Sequence, residues 1–187
     1  MSTTTGAGRP RREEVGPAVL AITADLVSRH GLVGTTLDEI ARRAGVAKTT
    51  VYRRWPSKGA LAVDALAQVL GEPPVVTVPT EEGLHAAVSW LADRVRHPTV
   101  AALLSGLVAE AAHDAELRGR LRARIRDPFT SRLVRDWRLE ADDVDRAFDI
   151  VVGALLHRRA MNGVITDLDD TIVTEVATRL VFGLRDG

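Results

Sequence analysis

TLDEIARRAGVAKTTVYRRWPSK, residues 36–58, reads as a helix, a short corner and a second helix that carries its cations outward. Thr36, Leu37, Asp38 and Glu39 spell a capping box, with the Thr36 hydroxyl accepting from the Glu39 amide and the Glu39 side chain reaching back to Thr36. Ile40 and Ala41 face inward, and Ala41 is small enough to let a second helix cross closely. Gly45 stands where the chain must turn sharply, and glycine alone enters a left-handed corner without steric cost. Val46 and Val51 repeat the buried face beyond the corner, leaving Lys48, Thr49, Thr50, Tyr52 and Arg53 to solvent. The pattern is a helix-turn-helix, whose second helix is expected to lie in a DNA major groove.

GVAKTTVYRRWPSKGAL, preceded by TTLDEIARRA and a His30-Gly31 helix end, resembles the DNA-binding region of tetracycline-repressor-type (TetR family) regulators. The resemblance spans residues 13–70. It rests on Tyr52, Trp55, Pro56, Ser57 and Lys58 in register behind the motif, not on the helix-turn-helix alone. It departs at Ala47, where such proteins often place a serine, so a good helix cap and a hydroxyl contact to phosphate are lost. The resemblance implies an all-α homodimer of two-domain chains. An N-terminal three-helix helix-turn-helix DNA-binding domain would join a C-terminal helical ligand-binding and dimerisation domain, with the last two helices paired across a two-fold axis. It also gives Thr36 a second role, as a phosphate contact.

At 187 residues the chain can build one sizeable core, or a small domain attached to a larger one. A hydrophobic content of 45% excludes wholesale disorder, and the absence of cysteine excludes disulfides and thiolate metal sites. The uncharged run 97–109 is too short to cross a bilayer, and no basic-then-apolar leader opens the chain. A soluble cytoplasmic protein with no membrane partner is therefore expected. The net charge is zero, yet residues 1–58 hold ten Lys/Arg against five acids, leaving fifteen against twenty in the remainder. A basic module joined to an acidic one suits a protein that presents one end to phosphate.

Residues 1–10 read as a disordered tail, with Arg9, Arg11 and Arg12 near a DNA backbone. A first helix runs to His30 on Val15, Ala18, Val19, Ile22 and Leu26, with Pro17 tolerable in its first turn. Ser57 caps a fourth helix to about Leu70, with Leu61, Ala65 and Leu66 inward. The expected division is a DNA-binding domain with its connecting fourth helix over 11–70, a proline-rich linker over 71–79, and an effector-binding and dimerisation domain over 80–187. In that second part Leu84, Val88, Leu91 and Val95 make one stripe, and Val100, Leu103, Leu104, Leu107, Val108 and Ala111 another. The recurrence of Leu117, Leu121, Ile125 and Phe129 predicts a long helix bent or broken near Pro128, with Arg118, Arg120, Arg122, Arg124 and Arg126 as a solvated face.

Two late helices are apolar on more than one side. Over 143–162, Val144, Phe148, Val151, Val152 and Leu155 oppose Ile150, Ala154, His157 and Met161. Over 170–185, Ile172, Val173, Val176, Ala177, Leu180, Val181 and Leu184 cover a wide arc. Helices of this kind must bury both sides, which points to a second subunit over Ile150, Ala154, His157, Val173, Val176, Leu180 and Leu184.

No histidine spacing suits a metal, and no catalytic or phosphate-cradling motif appears, so neither an enzyme nor a cofactor is expected. Asp167-Leu168-Asp169-Asp170 matches the DxDD proton-donor pattern of some terpene cyclases, but acids that open a helix are favoured by its positive end alone. Trp90, Phe129, Trp137 and Met161 are candidates to line an effector pocket. The expected DNA contacts are Thr36, Lys48, Thr49, Thr50, Tyr52, Arg53 and Lys58. The first residues of the second motif helix meet base edges, and Tyr52 and Lys58 meet phosphate. The expected function is a ligand-responsive repressor, released from a pseudo-palindromic double-stranded operator by an unidentified small molecule. The alternative is an effector-independent architectural DNA-binding protein.

Overall fold

The computed structural model describes residues 15–74 and 80–183, which are helical with no strand among them. The predicted tail with Arg9, Arg11 and Arg12, the end of the predicted linker and Leu184 lie outside the described residues. The helices are α1 (Val15–His30), α2 (Leu37–Arg43), α3 (Lys48–Arg54), α4 (Lys58–Leu70), α5 (Glu81–Arg96), α6 (Pro98–Ala111), α7 (Ala115–Leu121), α8 (Asp127–Trp137), α9 (Ala141–Asn162) and α10 (Asp167–Val181). A π-helical turn, Arg122–Arg126, joins α7 to α8.

Local chemistry sets most boundaries. Thr36, Ser57, Thr80 and Asp114 each accept a backbone N–H three residues on, at 3.0–3.2 Å. Ala47 opens α3 with no side-chain cap, as its departure from serine implies. The Thr36 box is half made. The Glu39 carboxylate is held by Arg42 at 2.7 and 2.8 Å and by Arg43 at 2.8 Å, so it does not return to the Thr36 amide. Those guanidinium bonds pull the Glu39 pKa down to about 2. Two charged donors outcompete one neutral amide. The complete box is at α10, where Asp169 accepts from the Thr166 N–H at 2.8 Å and Thr166 accepts from the Asp169 N–H at 3.3 Å.

The bend near Pro128 has a specific form. A strict four-residue spacing of Leu117, Leu121, Ile125 and Phe129 overshoots a 3.6-residue turn, and a wider i→i+5 turn takes up the excess. The Asp127 N–H accordingly bonds to the Arg122 carbonyl, one residue before Pro128, which has no N–H to give. The arginines of this stretch are not simply solvated. Arg118 donates to the Ala111 carbonyl at 2.7 Å, and Arg126 pairs with Asp145 at 3.0 Å. Arg120 and Arg124 each lie 3.7 Å from Asp64 of α4.

Two apolar clusters meet at α4. The smaller joins Val19, Leu26, Ile40, Ala41, Val51, Trp55 and Leu61. The larger takes Ala24 and Val27 of α1, Ala62, Val63, Ala65, Leu66 and Leu70 of α4, and the inner faces of α5 to α10. The expected boundary after residue 70 thus marks a change in the path of the chain, while the core runs on across it. Close approach helps: a Cβ on Gly106 of α6 would lie 2.7 Å from Leu32 Cβ. Because Leu66 is fully buried in the shared helix, Leu66→Ala should cost about 2–5 kcal/mol. Calorimetry should show one unfolding transition moved to lower temperature, whereas two separated transitions would mean that the halves fold independently.

Candidate functional site

The helix-turn-helix is built as its sequence dictates. Ile40, Ala41 and Val51 are buried to within 1%. The Ala44 and Gly45 amides close α2, and Gly45 turns the chain at φ +64°. α3 buries Val51 and presents Lys48, Thr49, Tyr52 and Arg53 to solvent, with Tyr52 50% exposed. Thr50 is half-buried, and Thr36 is exposed beside the cap it makes. Five of the seven predicted DNA contacts therefore lie on α3, and Thr36 lies at the start of α2.

Two lysines have partners that the sequence did not announce. Lys48 Nζ is 2.6 Å from Asp38 Oδ2 across the corner. That hydrogen bond raises the Lys48 pKa, so the ammonium is held in its charged form. Lys58, expected at a phosphate, turns the other way. Its Nζ donates to the Leu32 carbonyl at 2.7 Å and lies 3.5 Å from Glu110 of α6. The Leu32 carbonyl sits just past the end of α1, and the α6 acid completes the pull, so Lys58 ties α4 to its neighbours.

Trp55 is 5% exposed and wedges α4 against the motif, with Arg54 stacked 5.3 Å from its ring centroid. Its Nε1 donates to Asp64 Oδ2 at 2.8 Å. Asp64 was not singled out from the sequence, although the signal was present: one acid inside LAVDALA must find partners when such a helix is buried.

The predicted pocket residues separate. Trp90 and Phe129 come together, with centroids 5.1 Å apart, and Phe129 meets Phe148 at 6.1 Å. Trp137 is buried against Phe182, and neither it nor Trp90, which packs behind Phe129, lines the cavity beside Phe129. Met161 is 69% exposed near the end of α9, because its helix runs past the packed part of the core. The cavity holds about 540 Å³. Leu70, Leu91, Leu104, Leu121, Ile125 and Phe129 form part of its apolar wall, and the exposed Arg118, Arg122 and Asp149 line it together with the half-buried Arg126.

Among the predicted interface residues Ile150, His157 and Val176 are exposed and Ala154 and Leu180 half-buried. Val173 points into the chain's own core at 6% exposure and has no surface to offer a second copy. The three-residue periodicity of a wide apolar arc does not by itself divide inner from outer positions.

The acids of the DxDD pattern act structurally. Asp169 caps α10 and accepts from Arg158 Nε at 2.6 Å, while Asp170 meets Arg96 at 2.5 Å. The Thr166 amide and then Arg158 lower the Asp169 pKa to about 2, the opposite of what a proton donor requires.

A family model described as "Bacterial regulatory proteins, tetR family" matches residues 19–65. The DNA-binding transcriptional repressor TetR of Mycobacteroides abscessus is 31% identical over 170 residues, covering 84% of this chain and 88% of that protein. The chain belongs to the TetR family. The TetR family transcription regulator SCO0332 has a similar solved structure, at TM-score 0.63 and 31% identity, covering 89% of this chain and 96% of that one. The multidrug binding protein EbrR, solved with proflavin, shares the fold at TM-score 0.64 and 18% identity, over 89% of this chain and 99% of its own. This TetR-family chain is a transcriptional regulator with a DNA-binding helix-turn-helix, and no helix among its described residues is long and apolar enough to cross a membrane.

The Asp169 bonds set an acid limb of stability. Its native pKa lies below the ordinary 3.8, so the contribution is complete at neutral pH and fades as pH falls from 3.8 through about 2. Asp169→Asn should lower the melting temperature at pH 7 and flatten its decline over that acid window. A melting curve against pH that keeps the parent's full acid slope would remove Asp169 as the group responsible.

Proposed function

We propose that this TetR-family regulator is a homodimeric repressor that binds a pseudo-palindromic operator and leaves it when a small molecule enters the α4–α9 cavity. The observation that carries the reading is the exposed α3 face, four polar or charged side chains on a helix whose opposite side is locked by Val51. On this reading residues 11–70 bind DNA and residues 80–187 bind effector and partner. Lys48, Thr49 and Thr50 address base edges, and Thr36, Tyr52 and Arg53 the backbone. Lys58 is assigned instead to holding α4 against the Leu32 carbonyl and Glu110. The two modules would enter major grooves about 34–36 Å apart, or a multiple of that.

Dimerisation is supported by where apolar surface remains. Of the eight large hydrophobic side chains exposed among the described residues, Ile150, Met161, Val164, Ile172 and Val176 lie on α9, α10 or the turn between them. Effector control is supported by the cavity and by the proflavin held by EbrR, which has the same fold. A release mechanism needs a coupling of only about 1–3 kcal/mol between cavity and operator. The architectural alternative would bind DNA with little sequence preference, and binding-site selection followed by operator titration separates the two. A selected pseudo-palindromic consensus supports the repressor, and selection without a consensus rejects it.

Two variants test the parts. Asp38→Asn frees Lys48, so it should tighten operator binding by up to roughly tenfold at low salt and steepen the salt slope by up to about one. Unchanged or weaker binding in a salt titration would show that Lys48 does not face DNA. Val176→Glu places a charge in the exposed face of α10 and should give a folded monomer with intact helix content. Operator affinity should then fall by about 10²-fold or more, since the second half-site is no longer engaged at high effective concentration. Ultracentrifugation that finds the variant still dimeric would move the interface off this face.

A further inference from the structure

We infer that the cavity takes an amphipathic anion, an apolar body ending in a carboxylate that pairs with Arg122. This deepens the effector reading above and rests on it for the consequence to DNA binding, though the ligand class stands on the cavity alone. The wall is apolar from every contributing helix: Leu70 of α4, Leu91 of α5, Leu104 of α6, Ile125 of the π turn, Phe129 of α8 and Phe148 of α9. The charged side chains in the lining are Arg118, Arg122, Arg126 and Asp149, and most of the remaining wall is apolar, so the body of a ligand must be apolar.

The charged part of the lining is different. It holds three arginines and one aspartate, of which Arg118, Arg122 and Asp149 are exposed to solvent and so lie toward the opening. Arg126 is answered by Asp145 at 3.0 Å and Asp127 at 3.4 Å. Arg118 is anchored by a carbonyl, that of Ala111, and so keeps an uncompensated charge. The Arg122 side chain is exposed and has no hydrogen bond or ion pair among the described residues. Against Arg118 and Arg122 stands Asp149 alone, so the opening carries surplus positive charge at a fixed place. The four-residue spacing of Arg118 and Arg122 puts them on one side of the helix as it enters the π turn. A planar guanidinium with free donors recognises a carboxylate by paired hydrogen bonds. A head group at the rim and a chain within is the arrangement these residues fit.

The test is a head-group series on the full chain: dodecanoate, dodecanol and dodecylamine, each titrated calorimetrically below its micelle concentration. Dodecanoate should bind at least about tenfold tighter than either of the others. Arg122→Gln, a change at an exposed and unpartnered side chain, should erase that preference and leave dodecanol affinity as it was. Val152→Trp, which fills the cavity from α9, should weaken all three. Equal affinity for the three heads, preference for the amine, an Arg122→Gln variant that still prefers dodecanoate, or no binding by any of them overturns the inference. Operator binding is measured separately. Dodecanoate that binds without releasing operator rejects the effector-controlled repressor and leaves the ligand class intact. Release by all three heads alike rejects the ligand class and leaves the repressor standing.

Discussion

Asp64 is the one acid in α4, and both halves of the molecule are registered on it. The helix around it is buried on nearly every side, with Leu61 in the motif's core and Ala62, Val63, Ala65 and Leu66 in the larger one. A carboxylate cannot remain there unpaired. It accepts from Trp55 Nε1 on the motif side and faces Arg120 and Arg124 on the other. Removing it would strand an indole N–H at a site 5% exposed, a loss of about 1–3 kcal/mol. The angle between the recognition helix and the rest of the chain follows from this anchor and from the Lys58 tie to Leu32 and Glu110.

What was legible in the sequence was what local chemistry decides. The caps at Thr36 and Ser57, the turn at Gly45, the inward Ile40 and Val51 and the stripes of α5 and α6 depend on residues a few positions apart. The three-dimensional competitors were not legible. Glu39 was free on paper to complete its box, but Arg42 and Arg43 hold it. Lys58 opens a helix and looks available, yet Glu110, far along the chain, lies within reach of it. Trp137 and Met161 have the chemistry of pocket residues, and only the packing of α8 against its neighbours and the overhang of α9 decide that neither lines the cavity. Val173 shows the same limit, since an arc of apolar residues does not say which side meets the chain's own core.

The arginines from 118 to 126 carry more information than a count of charges. Charge runs are usually solvated, which led to the reading of a surface face. Their alternation across a helix of changing pitch instead sends Arg118, Arg122 and Arg126 toward the cavity and Arg120 and Arg124 toward Asp64. One element thereby touches the cavity and the helix that follows the DNA-binding motif.

That placement bears on how much energy a signal would need. Each pair from Asp64 to Arg120 or Arg124 spans 3.7 Å, with Arg124 largely exposed. Pairs of this kind contribute about 0–1 kcal/mol each, so they are too weak to hold the halves together and serve better as a bias. The strong bond is the one from Trp55 to Asp64, and it need not break. On the proposed reading, a ligand drawing Arg122 toward the mouth acts on the same turn as Arg124, and loss of both pairs shifts the balance by up to about 2 kcal/mol. That lies within the 1–3 kcal/mol typical of coupling between sites. A wide turn, whose hydrogen bonds already depart from the α pattern at Pro128, can shift without breaking a regular helix. On that reading the core that α4 shares would stay packed while its charged edge moves, so a modest ligand affinity would alter the spacing of two recognition helices without unfolding either half.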